Sequence, residues 1–182
     1  MLSNIISVLR VIGNNIKFLY FKLKGVNISY KGKCTSRLST EYAFSKGSKV
    51  EIGYHVTTMQ NSRILVRGGE LSIGNNVGIN SNCVIACHDT IKIGANVGIG
   101  PNVCIYDHDH DFRAEGGKKS KKYKTAPVII EENVWIGANS VILRGTHIGK
   151  NSVIAAGSVV KGKIPENTVV LQKRDNIYEN II

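Results

Sequence analysis

The chain has 182 residues, enough for one domain with a sizeable core, and its three prolines against 19 glycines fit many tight turns and argue against disorder. The formal charge of +11 implies an anionic partner: a phosphorylated cofactor, nucleic acid, a membrane surface or an acidic glycan. The four cysteines, Cys34, Cys83, Cys87 and Cys104, form no CxxC pair, which excludes a small disulfide scaffold and favours free thiols in a reducing, cytoplasmic setting.

Residues 2–24 read as an amphipathic helix. Leu2, Ile5, Ile6, Leu9, Ile12, Ile16, Leu19 and Leu23 recur at three- and four-residue steps, and Gly25 is a plausible stop. Arg10 and Lys17 interrupt the apolar run, so it falls short of the ~20 residues a membrane span needs, and no signal-peptide cleavage site is evident. Two roles stay open for this helix. It packs on the rest of the domain or on a partner subunit, or it lies on an anionic bilayer with Arg10, Lys17, Lys22 and Lys24 at the headgroups.

Residues 26–71 show little regularity, although Val50-Glu51-Ile52-Gly53 looks like one repeat unit. From Ile73 a period of six is clear: Ile73, Ile79 and Ile85, then Ile93, Ile99 and Ile105 after a two-residue shift near Asp89-Thr90. It returns at Ile130, Ile136, Ile142, Ile148, Ile154 and Val160. Six residues advance a helix by about 600° and make no single face. A flat strand would need apolar residues at the intervening even positions, where Gly145, Lys150 and Gly157 stand. Period six fits a chain that turns by roughly 120° after each short strand, with Gly and Asn at the corners. That is a parallel β-helix around an aliphatic axis, so the expected class is all-β.

Residues 111–126 interrupt the repeat with a run rich in Gly and Lys. Such an insertion must leave the stack, either as a solvated loop or as a contact for an anionic ligand through Lys118, Lys119, Lys121, Lys122 and Lys124. Just before it stands Tyr106-Asp107-His108-Asp109-His110-Asp111. Two imidazoles among carboxylates fit a general base with a fixed tautomer, a zinc-type metal site, or a charged corner without chemistry. The repeat is expected to end at Pro165, with residues 166–182 capping the last coil. The expected division is a helix over 1–25, the β-helix over 26–165 and a tail over 166–182.

Ile93-Gly94-Ala95-Asn96, Ile136-Gly137-Ala138-Asn139 and Ile148-Gly149-Lys150-Asn151 resemble the hexapeptide-repeat acyltransferases, which are left-handed parallel β-helices. The ordered set of Ile99-Gly100-Pro101-Asn102-Val103 through His110, the excursion, Val134-Trp135-Ile136-Gly137 and Ala155-Ala156-Gly157-Ser158-Val159-Val160 resembles the maltose, galactoside and polysaccharide O-acetyltransferase branch. The resemblance implies acetyl-CoA as co-substrate, no metal, no nucleic acid, and a homotrimer with active sites shared between subunits. It puts His110 at the catalytic position, with His108 as its neighbour in register. It puts Trp135, Ala138 and Ala156 against the pantetheine arm, and Lys161 and Lys163 near the nucleotide phosphates. Asn80, Asn82, His88 and Asp89 take the acceptor side. The chain departs from the family at Val170-Leu171-Gln172-Lys173-Arg174, where a Gly-x-Pro-Ala-Lys/Arg segment is usual, although Lys173 and Arg174 keep its charge.

The implied reaction is acetyl transfer from acetyl-CoA to a hydroxyl of a sugar or polysaccharide precursor, in the cytoplasm or at the cytoplasmic face of the membrane. Serine O-acetylation and amino-sugar N-acetylation are the alternatives within the class. A metal-dependent β-helix of the γ-carbonic anhydrase type is the alternative outside it.

Overall fold

In a computed structural model, which describes residues 2–173, one helix, α1 (Leu2–Leu23), precedes a left-handed parallel β-solenoid with three faces. Face A stacks seven strands from Asn27–Tyr30 to Lys163–Ile164, and face B seven from Thr35–Ser36 to Val169–Val170. Face C stacks six, from Glu41–Phe44 to Val159–Val160. The chain turns from A to B at the first corner, from B to C at the second and from C back to A at the third.

The six-residue period becomes three vertical columns. Ile73, Ile93, Ile130 and Ile148 are in register on face A. Ile79, Ile99, Ile136 and Ile154 align on face B, and Ile85, Ile105, Ile142 and Val160 on face C. Each side chain is buried, and burial of one such aliphatic stabilises the fold by roughly 1.5–3 kcal/mol.

The corners explain the rest of the repeat. A Cβ on Gly94 would stand 2.6 Å from the Glu132 nitrogen, and one on Gly137 2.5 Å from the Ala156 nitrogen. Backbone layers touch at these two positions, which therefore admit only glycine. Asparagines at the first two corners hold φ between 56° and 60°, a region that Asn tolerates better than most residues. Their amides form ladders along the prism: Asn76, Asn96, Asn133, Asn151 and Asn167 at the first corner, Asn82, Asn102 and Asn139 at the second, with N···O distances of 3.0–3.1 Å.

Residues 26–71, which show little regularity in the sequence, form regular coils of the solenoid. Asn27 pairs with Lys49, Lys49 with Glu70 and Glu70 with Thr90, so these coils are longer than the later ones, where His147 lies eighteen residues beyond its partner Ile129. Polar residues such as Ser36, Thr58 and Ser62 also take buried positions there. The repeat likewise continues past Pro165, because Asn167 extends the ladder and Val169–Val170 pairs with Val153–Ile154. Arg174 and residues 175–182 of the expected cap lie outside the described residues.

Helix α1 covers the open end of the first coil. Phe18 packs on Tyr30 and Tyr42, Phe21 on Phe44, and Asn14 bonds to the Cys34 carbonyl and to Ser36, so all three faces of that coil are touched. The packing side is therefore Asn14–Phe18–Phe21, and the aliphatic stripe from Ile5 to Leu23 faces solvent. No helix among the described residues is long and apolar enough to cross a membrane.

Asn133→Ala should lower stability by about 2 kcal/mol, from left-handed strain plus a severed ladder bond, and Asn133→Gly by about 1 kcal/mol less. Urea unfolding midpoints measure both. Equal midpoints for the two variants would remove backbone conformation from this account.

Candidate active site

The third corner lacks an asparagine ladder, and the chain leaves the stack there between Cys104–Tyr106 and Val128–Ile130. The excursion is more ordered than its composition suggests. His108–His110 pairs antiparallel with Tyr123–Thr125, and Gly117–Ser120 forms one turn of 3-10 helix. Its neck is closed by Ala126 N–H donating to the Asp107 carbonyl at 2.9 Å and Gly145 N–H to the Ala126 carbonyl at 3.2 Å.

Asp107 is fully buried at this neck. A buried carboxylate requires donors, and three groups supply them. The backbone N–H groups of His88 and Asp89, on the corner one coil earlier, approach it at 2.7–3.0 Å, and His108 Nδ1 lies 3.0 Å from Oδ1. With the carboxylate accepting from Nδ1–H, Nε2 of His108 carries the lone pair.

The His88 ring stacks on His108 with centroids 3.7 Å apart, and Tyr123 packs against both and against His110 at 4.8 Å. Burial, followed by the nearby His108, lowers the His88 pKa below its ordinary value and keeps that ring neutral. On the flanks, Arg144 Nε binds Asp109 at 2.6 Å and Lys124 binds Asp111 at 3.2 Å. His110 is exposed, and no carboxylate is hydrogen-bonded to it among the described residues. Cys87 lies against the same carboxylate. Its pKa is raised well above the ordinary thiol range, first by burial and then by the charge of Asp107.

The residues expected to form one site divide between two places on a single chain. His108, His110, His88 and Asp89 share the third corner, and Lys161 stands at the same corner further along the prism. Lys163 is on face A, beside His147. Trp135 is 61% exposed on face B, the face opposite the third corner. There it borders a groove of about 270 Å³ floored by Gly78 and Gly98, with Asn80, Gly100 and Met59 along it. Ala138 and Ala156 line the second corner, stacked under Gly100 and Gly137.

Asn80 and Asn82 are thus at the height of the histidines but at a different corner. Asn82 donates to Asn102 in the ladder, and the Asn80 side chain accepts from Ser81 N–H, so in one chain neither reaches the histidines. Tyr123 and Arg144 were not anticipated; Tyr123 is hidden in the lysine-rich run, and Arg144 meets Asp109 only through folding. No group of three His, Cys, Asp or Glu placed to hold a metal ion occurs among the described residues. His88 and His108, both partly buried, stack face to face rather than converging.

Residues 127–161 match the family described as the hexapeptide repeat of succinyl-transferase. A Saccharomyces cerevisiae protein named as an acetyltransferase is 48% identical over 102 residues, 56% of this chain and 52% of that one, so the chain spans about half the length of that relative. WbbJ of Escherichia coli, named as a lipopolysaccharide biosynthesis O-acetyl transferase, is 33% identical over 138 residues, 71% of this chain and 70% of WbbJ. Among solved structures, a point variant of the N-acyltransferase AntD from Bacillus cereus, in complex with dTDP-4-amino-4,6-dideoxyglucose and coenzyme A, superposes with a TM-score of 0.69. It is 21% identical, over 86% of each chain, a likeness of fold.

The thiols provide a test of the corner. Cys34, Cys83 and Cys87 are buried with raised pKa values, whereas Cys104 is partly accessible. In the native protein at pH 8, a disulfide reagent such as dithionitrobenzoate should react quickly with Cys104 alone, and with all four cysteines after unfolding. Rapid native labelling of Cys87 would contradict the closed neck.

Proposed function

The chain belongs to the hexapeptide-repeat acetyltransferase family, and from that premise we propose that it moves an acetyl group from acetyl-CoA to a hydroxyl of a sugar or polysaccharide precursor. The observation that carries the reading is the Asp107–His108 pair, a half-buried imidazole held by a fully buried carboxylate. Such a pair fixes the tautomer and leaves one ring nitrogen free to accept a proton.

The reaction follows from that nitrogen. His108 Nε2 takes the hydroxyl proton while the acceptor oxygen bonds to the thioester carbonyl carbon. The tetrahedral adduct collapses, the C–S bond breaks, and the leaving thiolate takes the proton from His108. An ester and free CoA result, with no covalent enzyme intermediate, and much of the rate comes from holding both substrates together. The buried thiols with raised pKa values are poor nucleophiles, which agrees with direct transfer.

This reading reverses the order of the two histidines taken from the resemblance. His110 is exposed and lacks a carboxylate partner, so nothing fixes its tautomer. His88, stacked on His108 and kept neutral by burial, serves as a wall of the acceptor pocket together with Asp89 and Tyr123.

The acetyl donor fits the groove on face B. Gly78, Gly98 and Gly100 leave backbone exposed to an extended pantetheine arm, and Trp135 provides an apolar wall. Because face B and the third corner are on opposite sides of one prism, the two halves of a site meet through a second subunit, in the homotrimer that the resemblance implies. Lys161, at the third corner, then supplies charge for the nucleotide phosphates. AntD is named as an N-acyltransferase, and its likeness of fold does not extend to the acceptor group. The O-acetyl reading rests on WbbJ.

A thiol-release assay with acetyl-CoA and a panel of sugars, nucleotide sugars and serine tests the proposal. His108→Ala should lower turnover by about 10²- to 10⁴-fold and His110→Ala by less than about tenfold. Near-wild-type turnover in the His108 variant would end the assignment. Trp135→Ala should raise KM for acetyl-CoA about tenfold while kcat changes little, as for loss of uniform binding.

A further inference from the structure

A concavity of about 820 Å³ is well away from the histidines. It is at the opposite region of the fold, where α1 crosses the first coil, and is lined by Leu9, Arg10, Lys17, Arg37 and Leu38 among others. Beside it runs the aliphatic stripe of α1. Ile5, Leu9, Ile12, Ile16, Leu19 and Leu23 are spaced alternately by four and three residues, and their exposure runs from 49% at Ile12 to 80% at Leu23. Leu38, on the adjoining turn of the first coil, is 94% exposed.

The direction of the stripe follows from the helix. At 100° per residue it centres on the side opposite Asn14, Phe18 and Phe21, which grip the coil. Because α1 covers the end of the prism, the stripe faces outward along the prism axis. Parallel prisms side by side would present their stripes as one apolar base rather than pack them against each other.

The charge around this base is almost wholly positive. The first 40 residues contain Arg10, Lys17, Lys22, Lys24, Lys31, Lys33 and Arg37 and no Asp or Glu; Glu41 is the first acid of the chain. Elsewhere acids offset part of the basic charge, as in the pairs of Arg63 with Glu41 and Lys49 with Glu70. Tyr20, more than half exposed at the edge of the stripe, has Lys24 over its ring, an amphipathic tip suited to the headgroup level.

We propose that this end of the prism docks on an anionic phospholipid bilayer, with the α1 stripe and Leu38 inserted at the acyl boundary and the cations of the helix and first coil at the headgroups. An apolar stripe flanked by cations supplies both components of interfacial binding. The rival occupant is a second copy, since the spacing also suits a coiled-coil seam. Charge decides against it: two such bases face to face bring cations against cations, with the first coil's one acid, Glu41, already paired with Arg63, whereas anionic lipid neutralises them. Docked in this way, the prism stands along the bilayer normal. At about 4.8 Å per coil, the His108 corner is held roughly 15 Å above the first coil. The proposal is independent of the acyl-transfer reading.

The test is co-sedimentation of the full chain with phosphatidylcholine vesicles, with and without about 30% phosphatidylglycerol, at low and high salt. The wild type should bind the anionic vesicles at least tenfold more tightly than the neutral ones and lose most of that preference at high salt. The double variant Leu9→Glu, Ile16→Glu alters only exposed positions, so its circular dichroism and its thiol release with a soluble acceptor should match wild type while vesicle binding falls at least tenfold. Lys22→Glu with Lys24→Glu should lower binding and flatten the salt dependence. Equal binding to both vesicle types, or vesicle binding unchanged by the stripe substitutions, would overturn the proposal. So would wild-type higher assemblies that the stripe substitutions disperse without changing vesicle binding.

Discussion

The fold depends on how closely one backbone layer meets the next at the corners. Gaps of 2.5–2.6 Å between a virtual Cβ and the following layer leave room only for glycine at Gly94, Gly137 and Gly149. The same corners require φ near +58°, which Asn and Gly provide at low cost. Together these rules tie face A to B and B to C through two rows of stacked asparagines. The third corner is not tied in this way. Its residues change from coil to coil: Gly68-Gly69, His88-Asp89, the excursion at Asp107, then Arg144-Gly145 and Lys161-Gly162. A segment that must depart from the stack departs where no ladder is broken, and the histidines are placed there for that reason.

At that corner a second constraint acts. The excursion forces a polar chain out of the core, and Asp107 is caught at the point of exit. Burying a carboxylate is costly unless donors surround it, and the preceding coil offers two backbone N–H groups in the right place. The carboxylate still has accepting capacity, and His108 Nδ1 donates to it at 3.0 Å. The imidazole is oriented by a requirement of the backbone as much as by its own chemistry. His110, two residues further out on the hairpin, is beyond reach of that carboxylate and turns toward Tyr123 instead.

The parts of this arrangement that repeat were legible in the sequence, and the parts set by contact between distant residues were not. From Ile130 to Val160 each coil has eighteen residues or close to it, so the isoleucines mark the axis directly. Before Ile73 longer coils and inward Ser36, Thr58 and Ser62 hide the same architecture. The helix was readable from its periodicity, but not the side it packs with, because aromatics Phe18 and Phe21 match the ring of Tyr30, Tyr42 and Phe44 and the aliphatic stripe does not. The histidine motif was visible as a cluster. Which histidine is oriented depends on His88 and Asp89 backbone donors some eighteen or nineteen residues away in the chain, and no local pattern records them. The separation of Trp135 from His108 is a matter of prism geometry: face B is always opposite the third corner, whatever the residues.

The two ends of the solenoid complete the physical account. An open β-solenoid exposes strand edges and core at its first coil, and such edges invite uncontrolled pairing unless covered. Here α1 provides the cover and needs only its aromatic side and Asn14 to do so. Polar residues on the opposite side would have been sufficient for a soluble cap, and binary patterning normally places them there. The chain instead has six aliphatics spaced for one continuous stripe, at positions where each remains about half exposed or more. Capping accounts for one side of the helix. The bilayer proposal rests on the other side, an exposed apolar stripe with cationic flanks and no acid before Glu41.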